Sequence, residues 1–99
     1  MRPAVSVVVP MYNEAENASD TLAAIAAALE DQGLTFEILP VDDGSTDGTA
    51  RELAAYAKRE PRVRPIGYTT NRGRGYALRV GFDAARGDLV ASMDADLSY

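Results

Sequence analysis

Short apolar runs rich in β-branched residues alternate along the chain with longer segments of helical period, and this alternation is its main structural signal. Residues 5–10 predict a first strand. After the polar Tyr12-Asn13-Glu14, a helix over about 15–31 places Leu22, Ile25, Ala26 and Leu29 on one face, and Gly33 suits the left-handed residue past its end. Residues 36–41 read as a second strand. The turn-rich DDGSTDGT then leads into a helix over about 47–59, with Ala50, Leu53, Ala54 and Ala57 on a shared face and Ser45, Thr46 and Asp47 as its caps. Residues 63–68 give a third strand, 71–75 a Gly/Arg loop, 76–85 a third helix stopped by Gly87, and 89–93 a fourth strand running into Asp94-Ala95-Asp96. Pro40 conflicts with a central second strand because it removes a ladder donor, so it marks a bulge or a locally unpaired stretch.

A β-α-β-α-β-α-β order with short connections calls for an α/β fold: a Rossmann-like, mostly parallel sheet with helices on both faces. Ligands of such sheets bind at the carboxyl ends of the strands. The polar clusters fall there: Tyr12-Asn13-Glu14, Asp42-Asp43, Asn71 to Gly75, and Asp94-Ala95-Asp96.

Composition narrows the chemistry those clusters can perform. The 99 residues contain no His and no Cys, which removes imidazole and thiolate catalysis, disulfides and thiolate zinc sites, so acid–base or metal chemistry falls to carboxylates. The net charge of -5 argues against nucleic acid as a partner. That charge is uneven. Residues 1–50 carry Arg2 as their one cation against nine carboxylates, whereas residues 51–99 carry nine cations against six, a division that suits a phosphate-bearing ligand held partly through metal. No apolar run approaches the roughly 20 residues of a membrane span, and the chain is expected to be soluble and cytoplasmic.

In Asp94-Ala95-Asp96 an extended backbone projects residues i and i+2 to one side, so both carboxylates face one pocket and the small Ala95 leaves room for a ligand. Two hard oxygen ligands suit magnesium or manganese. Asp42 and Asp43 point to opposite sides, one toward a ligand and the other toward amides of the following turn. The calcium-loop spacing that begins at Asp43 fails at its twelfth position, which is Ala54. Gly73-Arg74-Gly75 lacks the third glycine of a dinucleotide fingerprint, since Leu78 stands there. A phosphoreceiver domain needs a lysine after a late strand, and the only Lys, Lys58, lies on a predicted helix.

Taken together, Pro10-Met11-Tyr12-Asn13-Glu14, the segment from Val41 to Thr49, the Asn71 to Ala77 loop and Met93-Asp94-Ala95-Asp96-Leu97 resemble the family 2 glycosyltransferases of the GT-A fold. The forms Asp-Ala-Asp-Leu and Asn-x-Gly-x-Gly-x-Ala are most similar to the dolichyl-phosphate and undecaprenyl-phosphate sugar transferases. The resemblance implies that Pro10, Tyr12 and Glu14 cradle the nucleoside of a GDP- or UDP-hexose, and that Val41 and Asp43 contact base or ribose. It further implies that Asp94 and Asp96 hold Mg or Mn on the diphosphate, with Ala95 lining the site. Ser98 stands where these enzymes often carry a Gln that assists the metal, and Arg74 and Arg79 are candidates for the diphosphate or for plain surface. The acceptor implied is a membrane polyprenyl phosphate, met at the cytoplasmic face. Family members continue past the D-x-D strand into an acceptor-binding half, so residues 1–99 are expected to be the donor-binding half, binding a nucleotide sugar weakly and turning over little. A non-catalytic nucleotide-binding or self-associating module, in the latter case with the truncated surface covered by a second copy, is the alternative.

Overall fold

A computed structural model describes residues 2–95. Seven elements alternate in it: β1 (Val5–Met11), α1 (Ala18–Asp31), β2 (Phe36–Asp43), α2 (Thr49–Arg59), β3 (Ile66–Tyr68), α3 (Arg74–Ala84) and β4 (Leu89–Ser92). All strand pairs are parallel and the order across the sheet is β3-β2-β1-β4. The α/β order and the parallel sheet with helices on both faces are as expected from the hydrophobic pattern.

Both faces of β1 and β2 are covered, which is why these strands read as nearly unbroken apolar runs. Val7, Val9 and Met11 of β1 and Ile38 of β2 meet Leu22, Ile25 and Ala26 of α1 and Leu53 of α2. On the other face Val8, Leu39 and Val41 meet Ala77 of α3. Each large aliphatic side chain so buried stabilises the fold by about 1.5–3 kcal/mol relative to exposure. Gly81 brings α3 onto the sheet: a Cβ there would lie 2.3 Å from Val8 Cγ1, so only a residue without a side chain permits the approach.

The boundaries differ from the sequence expectation in ways the hydrogen bonds explain. α1 begins at Ala18 because the Glu14 carbonyl first accepts the N–H groups of Asn17 and Ala18 in a separate turn. It ends at Asp31, and Gly33 past that end takes the expected left-handed φ of 69°; Gly33 N–H donates to the Glu30 carbonyl and Leu34 N–H to that of Leu29. The buried stripe of α2 is Thr49 and Leu53 with Tyr56 and Ala57 partly covered, whereas Ala50 and Ala54 are exposed, so the expected alanine face is rotated away from the sheet. The third strand is shortened to Ile66–Tyr68, preceded by a lone bridge between Ile38 and Val63.

Pro40 accounts for that shortening. Ile38 N–H donates to the Arg62 carbonyl on the β3 side, and residue 40, two positions on, points its nitrogen the same way. The β2–β3 ladder resumes only at Val41 and Ile66, while the Val9–Pro40 register with β1 is unbroken. Pro40 thus marks a locally unpaired stretch and not a bulge.

At the amino ends of the strands, the buried Glu37 fastens the start of β1 and the α3–β4 connection to β2. Its carboxylate accepts from Ser6 Oγ at 2.6 Å, from Arg86 N–H at 2.7 Å and from the Arg64 guanidinium, and Ser6 Oγ in turn accepts from Gly87 N–H at 2.8 Å. Burial alone would push the Glu37 carboxyl up; the bonds from Ser6, Arg86 and Arg64, with the Arg64 charge, outweigh it and hold the group below the usual carboxylate range. The sequence carries no signal for this anchor, because Glu37 is a single charged residue inside an apolar run.

Candidate functional site

The chain moves from β1 outward through β2 to β3, and α3 then carries it back past β1 to β4. The crevice at the carboxyl ends of β1 and β4 is therefore the switch point where such sheets take ligands. Three polar segments are built around it.

The loop after β1 is fixed by Asn13, which takes a left-handed φ of 53°. Its N–H donates to Ser45 Oγ at 2.9 Å, and its Oδ1 accepts from Thr46 N–H at 2.8 Å. Glu14 N–H donates to Thr49 Oγ1 at 2.9 Å and Ala15 N–H to Asp47 at 3.3 Å. Ser45 and Thr46 therefore join two loops where caps for α2 were expected. The N-cap position of α2 is Gly48, without a side-chain cap, and Asp47 just before it accepts from Thr49 N–H at 2.9 Å through Oδ1. A hydrogen bond from the Thr49 hydroxyl, with those from backbone N–H groups, holds the Asp47 carboxyl below its ordinary range.

Asp42 and Asp43 point to opposite sides, as the strand geometry requires. Asp42 accepts from Ser45 N–H at 3.0 Å and supports the turn. Asp43, buried at the α3 side, accepts from Tyr68 Oη at 2.7 Å and from Arg72 N–H, Gly73 N–H and Asn71 Nδ2, each at 2.9 Å. One carboxylate so organises the whole loop from Asn71 to Gly73. Burial and the hydrogen bond to Asp43 raise the Tyr68 phenol above its ordinary range, which keeps it a donor. Gly44, with φ 67°, lets the 70–71 backbone pass, for a Cβ would lie 2.3 Å from Asn71 N.

Gly73, with φ 97°, turns the loop into α3 and sets Arg74 at the first helical position. Arg74 Nε and a terminal guanidinium nitrogen lie 3.0 and 2.8 Å from Asp94 Oδ1, which bridges α3 to the end of β4. Ala95 is buried in the core beside α1, and its carbonyl accepts from Thr21 Oγ1 at 2.9 Å.

A cleft of about 170 Å³ opens among Pro10, Met11, Tyr12, Glu14, Asp43 and Arg74. It unites four residues singled out in the sequence with an arginine that links to a fifth, Asp94. Its volume is below the 300 Å³ or so of a full ligand pocket, so it accommodates only part of a nucleotide-sized molecule. Tyr12 is exposed at the rim, and Val41 lies fully buried under α3 without lining the cleft. Arg79 is exposed on α3 and has no hydrogen bond or ion pair among the described residues. Asp96 and Ser98 lie outside the described residues. Asp94 offers a hard, exposed carboxylate whose Oδ2 has no hydrogen-bond partner among the described residues, a donor that suits Mg or Mn. Among the described residues no three potential ligands gather, so further ligands would come from Asp96 or from a bound diphosphate.

A larger recess of about 410 Å³ lies at the opposite end of the sheet and includes Arg2, Arg62 and Arg64. These three are paired with Asp88, with Glu60 and Glu30, and with Glu37. A fourth arginine, Arg86, lines the recess with no ion pair among the described residues, but none of Tyr12, Glu14, Asp43 or Asp94 reaches that end of the sheet, so the smaller cleft is the better candidate.

The family model for glycosyl transferase family 2 matches residues 6–99. The undecaprenyl-phosphate 4-deoxy-4-formamido-L-arabinose transferase of Edwardsiella ictaluri is 43% identical over 95 residues, which is 94% of this chain and 29% of that protein. Its namesake from Pseudomonas paraeruginosa is 44% identical over 94 residues, 94% of this chain and 28% of the relative. The chain thus spans under a third of the length of these curated relatives. Among solved structures, the mannosyltransferase PcManGT from Pyrobaculum calidifontis, in complex with GDP-Man and Mn2+, superposes with a TM-score of 0.80 at 34% identity, over 97% of this chain and 28% of that one. S. aureus TarS in complex with UDP-GlcNAc superposes at 0.77 with 30% identity, over 97% and 27%.

Proposed function

The chain belongs to glycosyl transferase family 2 and carries the parallel α/β sheet of a GT-A fold, and from that premise we propose that it is the donor-binding part of a glycosyltransferase. The reaction is transfer of a sugar, a hexose as in the donors of the solved structures or a pentose as in the names of the relatives, from a GDP- or UDP-sugar to a polyprenyl phosphate. The observation that carries this reading is the convergence of Tyr12, Glu14, Asp43 and Arg74 on one cleft beside Asp94, at the switch point of the sheet.

In this reading Pro10, Tyr12 and Glu14 receive the nucleoside, and Asp43 acts on base or ribose while holding the 71–73 loop in place. Val41 supports that wall from beneath, and Ala95 backs the diphosphate subsite. Asp94 and Asp96 would hold Mg or Mn, which would supply neutralisation of charge on the diphosphate leaving group. A phosphate acceptor is already an anion, so little base catalysis is asked of the protein. The polyprenyl acceptor is supported by the names of the relatives, and the reading assigns the reaction to the cytoplasmic face of a membrane. Among the described residues no helix is long and apolar enough to cross a membrane.

Calorimetry of the 99-residue chain with GDP- and UDP-sugars plus manganese tests the proposal. Weak binding of one nucleotide class, reduced by Asp94→Ala, is the expected result; no heat with any donor overturns it.

One surface favours a second reading. Among the described residues β4 is an edge strand with all four residues exposed, and Leu89 and Val90 within it and Met93 just after it are apolar. Such an edge pairs readily with another copy. Light scattering coupled to size exclusion distinguishes the two, a monomer at all concentrations being the result against self-association.

A further inference from the structure

We propose that Arg74 is a displaceable counter-cation, which neutralises Asp94 in the empty site and is exchanged from it when a divalent cation and a diphosphate arrive. The proposal rests on the reading that Asp94 holds metal.

Three observations carry it. Arg74 places two nitrogens on the same oxygen, Asp94 Oδ1, so the pair lacks the two-oxygen fork that makes arginine–carboxylate contacts strong. The two side chains are 58% and 59% exposed, and an exposed pair of this kind is weakly held and screened by salt. Arg74 also lines the cleft shared by Tyr12, Glu14 and Asp43, so the residue already borders the site it would serve after release.

The backbone is arranged to let the side chain move without the loop. Asp43 fixes Arg72 N–H and Gly73 N–H, and Ala77 N–H closes the first turn of α3 on the Gly73 carbonyl at 3.1 Å. The Cα of Arg74 is thereby anchored from both sides, and only its long side chain need swing. While it remains on Asp94 it opposes a cation there, and once a metal has taken Asp94 the freed guanidinium is available to the diphosphate. Metal and diphosphate would then each favour the other's binding, because each relieves a competitor of the other.

The test uses Mn2+ alone, followed by electron paramagnetic resonance of the free ion, and GDP alone in the presence of a chelator, followed by calorimetry. For Arg74→Met we expect Mn2+ to bind about two- to fivefold more tightly than to the unmodified chain, the range an exposed ion pair can hold back, and GDP to bind more weakly. Arg74→Lys, which keeps charge with one nitrogen, should fall between. Equal Mn2+ affinity in the unmodified chain and in Arg74→Met, with both weakened by Asp94→Asn, overturns the exchange and leaves the metal reading intact. Mn2+ binding that Asp94→Asn does not alter overturns the metal reading and the exchange with it. Unchanged GDP affinity in Arg74→Met overturns the transfer to diphosphate. Far-UV circular dichroism confirms that the variants share one fold.

Discussion

The carboxylate of Asp43 accepts the backbone N–H of Gly73 at 2.9 Å across 30 residues of chain, and this bond fixes where α3 begins. Three further donors, from Tyr68, Asn71 and Arg72, converge on the same two oxygens. An amide at this position would present an NH2 to groups that are themselves donors. Asp43→Asn should therefore cost about 2–4 kcal/mol of stability, read by urea unfolding, and should weaken nucleotide binding by more than the loss of folded protein explains. A variant with full stability would show that the four bonds contribute little.

Glu37 gives a pH dependence whose sign is set by its lowered carboxyl. Its folded-state affinity for protons is below that of the unfolded chain, so its contribution is complete above about pH 5 and is lost as the pH falls through the folded-state value. Glu37→Gln should cost about 2 kcal/mol at pH 7, and the gap to the unmodified chain should narrow on acidification. Urea midpoints measured from pH 7 down to pH 3 check this. A gap that widens at low pH would contradict it.

Gly81 and Val8 should be energetically coupled. Gly81→Ala forces a Cβ to within 2.3 Å of Val8 Cγ1 in a packed layer and should cost about 1–3 kcal/mol. Val8→Ala creates a cavity and is destabilising by itself, yet in the double variant the new methyl group occupies space that Val8 has vacated. The double-variant cost, from thermal or urea unfolding, should fall below the sum of the single ones by at least 0.5 kcal/mol or so.

The element order and the strand-end location of the site were legible because they depend on local period and on a general property of parallel sheets. Leu22, Ile25 and Ala26 obey that period and are buried as expected. The α2 face is not legible in the sequence because alanine fits core and solvent alike, so the exposed Ala50 and Ala54 carry no directional signal. The pairing of Arg74 with Asp94, the four donors on Asp43 and the Glu37 anchor all join residues at least 20 positions apart, apart from any sequence period. Pro40 showed that something interrupts the ladder, but the side of the strand affected depends on which neighbour lies where its nitrogen points.

Thr21 is the remaining control point, because it ties the residue next to Asp94 to the helix behind it. Its hydroxyl donates to the Ala95 carbonyl at 2.9 Å in a buried setting, 74 residues away in sequence. Thr21→Val keeps the shape and removes the donor, so the carbonyl is left buried without its partner at a cost of about 1–3 kcal/mol. Asp94 itself keeps its Arg74 contact, since that bond does not pass through Thr21. If the end of β4 must be held for Asp94 to bind metal, Thr21→Val should weaken Mn2+ binding while leaving metal-free GDP binding nearly unchanged. Thr21→Ser, which retains the hydroxyl, should restore most of the Mn2+ affinity. An equal loss in Thr21→Val and Thr21→Ser would assign the effect to packing by the Thr21 methyl group, and the hydrogen bond would then have no part in positioning the carboxylate.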